Sequence, residues 1–174
     1  MGFLSGIGDL LKQYSGNSAN TANVEQHFDQ VAQSVPSSSM ASGLAEALRS
    51  GQAGSFSQVA SQLFSSGNGA QRASMLSGLL ASVGPSVLSQ FTGSNPNSPL
   101  AALLKGGQNS VTPEQAESVP AADVAALAHT AHSADPSIIE RMSAIYAEHP
   151  TLIKTLGAAA MTIAVKHIAD RHSA

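Results

Sequence analysis

Residues 112–170 read TPEQAESVPAADVAALAHTAHSADPSIIERMSAIYAEHPTLIKTLGAAAMTIAVKHIAD, and the punctuation of this stretch decides the fold. Thr112-Pro113-Glu114-Gln115 is a capping box with proline at the first helical position, where its missing N–H costs nothing. Pro120 opens a second helix with Val124, Leu127, Ala128 and Ala131 on its inner face. Asp135-Pro136 starts a third by the same capping logic and carries Ile138, Met142 and Ile145 inward. His149-Pro150 starts a fourth, which runs to about Asp170 on Leu152, Ile153, Leu156, Ala160, Ile163, Ala164 and His167. Apolar residues recur three and four apart, and no stretch alternates for long in the manner of a strand. The very short joints between the last three helices predict an antiparallel unit, with the Ala-rich final helix nearest its centre. Ala159 and Ala160 are placed there, where helices approach closely.

The same periodicity extends upstream. Val24, Phe28, Val31 and Val35 form the stripe of a helix that Pro36 should end. Three segments follow, each closed by glycine: Met40, Leu44 and Leu48 before Gly51; Phe56, Val59 and Leu63 before Gly67; Leu76, Leu79, Leu80 and Val83 before Gly84. Glycine suits the left-handed position that follows a helix end. The spacings of 16 and 17 residues between these glycines are shorter than the periods of about 20 to 50 residues typical of solenoids. A piece from Pro85 to Phe91 leads into the loop TGSNPNS. Between Glu46 and Glu114 the chain has no acidic residue, and its only bases there are Arg49, Arg72 and Lys105. Such a stretch has to bury its apolar faces well or associate with something.

At the start, Phe3, Leu4, Ile7, Leu10, Leu11 and Tyr14 fall on one face of a predicted helix, with Ser5, Asp9, Lys12 and Gln13 on the other. The tract SGNSANTAN behind it has the composition of a flexible linker. The expected organisation is an amphipathic helix over 1–15, a linker over 16–23 and one all-helical domain over 24–174. That domain divides into Ser/Gly/Ala-rich short helices over 24–111 and a C-terminal helical unit over 112–174. The opening MGFL, the glycine-closed low-charge middle and the segment VTPEQAESV resemble the YidB-like family of bacterial helical proteins. The resemblance implies a small helical bacterial protein and carries no catalytic residue across.

Composition narrows the function. Only 11% of residues are charged while 43% are hydrophobic, which argues against extensive disorder. A net charge of −3 with eight scattered Lys and Arg gives no footprint for nucleic acid. With no cysteine there is neither a disulfide framework nor a thiolate nucleophile. The start lacks the pattern of an export signal, and Gly6 stands where a myristoylation motif wants Ser or Thr. No stretch reaches the roughly 18 to 20 apolar residues of a membrane span, so a cytoplasmic protein is expected.

Six histidines raise the question of a metal. His129 and His132 lie three apart on one helix and Asp135 follows, a set of two nitrogens and an oxygen. The plain alternative is a pair of imidazoles favoured by the negative end of a helix. His167 and His172, five apart, share a helix face poorly, and His149 is a helix-entry residue. No Gly-x-Ser-x-Gly elbow, Walker lysine or haem attachment motif occurs. Glu114 and Glu117 sit where acids complement a helix dipole. No cofactor is therefore expected.

The expectation is an all-α compact orthogonal or antiparallel bundle of about eight to ten short helices. It is not an enzyme, and it acts by self-association or partner binding through apolar helix faces. Phe3, Leu4, Ile7, Leu10, Leu11 and Tyr14 are the candidate contact residues, in a homo-oligomer or with a protein partner. The rival readings are a carrier of a hydrophobic small molecule, its cavity lined by Leu, Met and Phe, and attachment to a membrane surface through the first helix.

Overall fold

The computed structural model describes residues 8, 9, 12, 23–51, 54–108 and 110–173. Phe3, Leu4, Ile7, Leu10, Leu11 and Tyr14 lie outside these. Of the first segment, Gly8, Asp9 and Lys12 are helical, and Asp9 and Lys12 are exposed.

Among the described residues the chain is all-α. The helices are α1 (Val24–Ser34), α2 (Ser37–Arg49), α3 (Phe56–Ser66), α4 (Gly69–Ser82), α5 (Pro85–Ser94) and α6 (Pro99–Lys105), then α7 (Pro113–Ser118), α8 (Ala121–Ala134), α9 (Ile138–Ala147), α10 (Pro150–Ile153) and α11 (Ala158–Ser173). Their starts follow from local chemistry. Ser55, Asn68 and Thr112 each form a reciprocal capping box with a glutamine three residues on, so two orphan N–H groups are met at once. Proline occupies the first turn of α5, α6, α7 and α10.

The expected single helix from Pro150 to Asp170 is instead broken. After α10 the chain tightens into a 3-10 turn, Lys154–Leu156, and then passes through Gly157 at φ +92°, ψ 170°, backbone that a residue with a Cβ avoids. The break resets the inner face of α11. Ala160, Met161, Ala164, Val165, Ile168 and Ala169 are buried, while Ile163 and His167 are half-buried and Ala159 is exposed. Of the three closing glycines, only Gly51 is left-handed, at φ +71°. Gly67 ends α3 in extended backbone and Gly84 precedes α5 in the same conformation.

The core is organised around α2, which lies between α9 and α11 and packs on both more extensively than most helix pairs here. Small residues make this placement workable. Gly43, Ala45 and Ala47 are buried beside Met40, Leu44 and Leu48, and a Cβ at Gly43 would stand 2.6 Å from the carbonyl oxygen of Ala164 on α11. The expected antiparallel unit of the last three helices is replaced by an interleaved arrangement. α8 packs on α3 and α5, α9 on α2 and α4, and α11 on α2 and α1. Short loops force sequence neighbours to lie near one another but do not choose the faces that bury most apolar area. Lys154 Nζ meets Asp29 Oδ2 at 2.6 Å and ties the 3-10 turn to α1.

Candidate functional site

The interleaving brings the end of α2, the start of α3, the second half of α8 and the start of α9 around one cavity of about 410 Å³. Its apolar wall comes from Leu48, Phe56 and Ile139, all buried. Arg49, His129 and His132 supply nitrogen-bearing side chains, and Gly51, Gly54, Ser55 and Ser57 also line it. Among the described residues no acidic side chain lines it.

Each of these side chains has a local reason for its place. On α8, Val124, Leu127, Ala128 and Ala131 are buried, as their spacing predicts, so His129 and His132 flank the packed face. At a separation of three they are neighbours on the helix surface. Ala128 and Ala131 are small and buried on α8, which packs on α3 and α5. Phe56 is the first residue of α3, and the capping box sets the angle at which it enters. The Gln58 N–H donates to Ser55 Oγ at 3.4 Å and the Ser55 N–H to Gln58 Oε1 at 3.1 Å. The rings of Phe56 and His132 meet at a centroid distance of 5.8 Å and a tilt of 59°, an arrangement in the range that aromatic pairs favour. Gly54, at φ +99°, turns the chain in front of them.

Arg49 is the last residue of α2 and makes an ion pair with Glu140 of α9. Both side chains are nearly half exposed, at 49% and 45%, so the pair contributes at most about 1 kcal/mol to stability. Its effect on the site is electrostatic. Glu140 holds the guanidinium without lining the cavity, and among the described residues the lining carries no acidic side chain.

The three candidate metal ligands do not converge. His129 and His132 share the cavity, but Asp135 is turned to the start of α9. Its Oδ1 accepts from the Ser137 N–H at 3.0 Å and from Ser137 Oγ–H at 2.7 Å, and its Oδ2 lies 3.4 Å from Arg141 Nη2. The Ser137 hydroxyl and N–H, with a smaller contribution from Arg141, hold the Asp135 carboxyl below the ordinary carboxylate range. Among the described residues no group of three His, Asp or Glu side chains is placed to hold a metal ion.

A second apolar surface lies on α4, α5 and α6. Leu80, Val83, Pro85 and Leu88 line a hollow of about 300 Å³, and Leu88 is shared with a smaller one of about 160 Å³ reaching Leu104 and Lys105. The charge-poor middle of the chain thus buries most of its apolar residues and leaves Val83, Leu88, Leu103 and Leu104 half-buried. Its base Arg72 is used internally. The Nε–H donates to the Gly67 carbonyl at 2.9 Å and an Nη2–H to that of Ser65 at 2.8 Å, and the guanidinium lies 5.4 Å from the Phe64 ring centroid.

Arg49 and Phe56 escape a reading of the sequence for sites because each already has a structural role there, one as a last-turn base and the other as the start of a core stripe. No spacing rule joins either to His129 and His132, more than seventy residues away. No protein family, curated protein or solved structure matches the chain. No helix of the described residues is long and apolar enough to cross a membrane.

Proposed function

We propose that this chain is a non-enzymatic helical binding protein and that the cavity between α2, α3, α8 and α9 takes a small hydrophobic molecule. The observation that supports this is the cavity itself. Its volume of about 410 Å³ falls among small-molecule sites of roughly 300 to 1,000 Å³, which combine apolar walls with a few convergent polar groups. Leu48, Phe56 and Ile139 are the walls and Arg49, His129 and His132 the polar groups. Native mass spectrometry of the full chain, as purified and after mixing with aliphatic and aromatic compounds, tests it. The expected result is a mass increment that denaturation releases and that the cavity-filling Ser57→Trp abolishes. A chain that carries nothing and takes up nothing overturns the reading.

Self-association, or binding of a protein partner, is the second reading. It is supported by the apolar surface around Leu88 and by the amphipathic pattern of residues 3 to 14 in the sequence. Light scattering on the full chain, on a chain lacking residues 1–19 and on Leu10→Asp tests it. Association lost in both variants, with the melting temperature held, supports it. A strict monomer at high concentration removes it, and flotation with liposomes shifts the assignment to a membrane surface. The YidB-like resemblance accords with either reading, since it implies only a small helical bacterial protein.

A further inference from the structure

The geometry points to an organic anion with an apolar tail, a monocarboxylate above all, as the molecule this cavity takes. The inference rests on the reading of the cavity as a ligand site and adds the chemistry of the ligand's head.

Three features of the lining lead to it. First, among the described residues the nitrogen-bearing side chains of the lining are hydrogen-bond donors of the kind that recognises carboxylates. The Arg49 guanidinium presents a planar fork of N–H groups, and each imidazole of His129 and His132 carries at least one N–H. Second, among the described residues no acidic side chain lines the cavity, and the Glu140 carboxylate that pairs with Arg49 lies outside the lining. Third, the Arg49 guanidinium already pairs with a carboxylate, that of Glu140, which a ligand carboxylate would replace or share. Both partners are nearly half exposed, so the exchange of Glu140 for a ligand carboxylate, or the sharing of Arg49 between them, sacrifices little.

The remaining lining sets the rest of the molecule. Leu48, Phe56 and Ile139 offer apolar contact, and the Phe56 ring is already arranged against His132, so the tail is aliphatic or aromatic rather than polar. A neutral alcohol of the same shape would fill the apolar part and leave the arginine and imidazole donors without an anionic acceptor, which forfeits the stronger class of hydrogen bond. A polyphosphate is a poorer fit, since among the described residues Arg49 is the only permanently charged side chain in the lining.

Isothermal titration of the full chain with matched pairs decides the matter: octanoate against 1-octanol, and phenylacetate against 2-phenylethanol. The acids are expected to bind about tenfold more tightly than their alcohols, the return on one charge-assisted hydrogen bond. Arg49→Gln should erase that preference and leave the alcohols unchanged, whereas Arg49→Lys keeps part of it. The double variant His129→Asn, His132→Asn should weaken the acids alone. Glu140→Gln frees Arg49 and should tighten the acids several-fold with no effect on the alcohols, a gain that a merely structural role for the ion pair would not produce. Circular dichroism melts confirm that each variant is folded. Equal binding of acids and alcohols, or acid binding untouched by Arg49→Gln, overturns the anion inference while the ligand cavity stands. Failure of all four compounds to bind removes the cavity reading and this inference together.

Discussion

Gly43 shows how much of this fold depends on the absence of a side chain. A Cβ at that position would meet the Ala164 carbonyl oxygen at 2.6 Å, and a backbone atom cannot rotate away. Gly43→Ala should therefore force α2 and α11 apart and cost about 1 to 3 kcal/mol. Gly93→Ala, with nothing among the described residues within 4 Å of the added carbon, should be neutral or gain up to about 1 kcal/mol, because alanine is the better helix former. Chemical denaturation of the two variants side by side checks the contrast, and equal behaviour would show that the helices separate freely. Ser143 on α9 is buried, and among the described residues its hydroxyl has no hydrogen-bond partner. Removing an unsatisfied hydroxyl relieves its desolvation, so Ser143→Ala should raise stability by about 1 kcal/mol. A loss of stability on that substitution would reveal a bond that the hydroxyl makes.

The break between α10 and α11 is the clearest case in which one element becomes two. Gly157 holds a conformation at φ +92° and ψ 170° that costs a residue with a Cβ about 1 to 3 kcal/mol. Gly157→Ala should lower stability by that amount and disturb the seating of α11, read as a shift in unfolding midpoint and in the exchange of amides near Ala160 and Met161. The start of α9 has a pH signature. The Asp135 carboxyl is held below its ordinary value of 3.8 by Ser137 first and Arg141 last. A depressed carboxyl contributes stability above its unfolded value, and the contribution is lost as the pH falls through its folded value. The gap in melting temperature between the native chain and Asp135→Ala should therefore be constant at neutral pH and narrow on acidification below about 3.8. A gap independent of pH would mean that the carboxylate charge adds nothing to the start of the helix.

At the scale of the whole molecule, the interleaving of early and late helices predicts one cooperative unit. α2 lies between α9 and α11, while α8 and α9 find their main partners among α3, α5, α2 and α4. A fragment of residues 112–174 would expose the faces that these partners cover, and isolated helices of this length are marginal in water. It should be largely unfolded by circular dichroism, and the full chain should unfold in a single calorimetric transition. Two resolved transitions, or an autonomously folded fragment, would return the C-terminal third to the independent unit that its short joints suggest.

The sequence determined the class, most of the elements and the inner faces of several of them, though not that of α11. Helix starts are governed by contacts within four residues, so Thr112, Ser55 and Asn68 announce themselves through the glutamine three positions on. A three-and-four apolar spacing names the buried side of a helix before its partner is known, as at Val124, Leu127, Ala128 and Ala131. His129 and His132 could also be paired from the sequence, since that too is a matter of helix geometry. Only the tertiary structure decided which faces meet, because many pairings of apolar stripes bury similar area and the choice falls to how closely backbones can approach, as at Gly43 and Ala164. That choice carried Arg49 and Phe56 to the two histidines and left Asp135 with Ser137 and Arg141. The cavity is a consequence of helix packing, and packing distances are set between segments far apart in the chain, where no local spacing rule reaches.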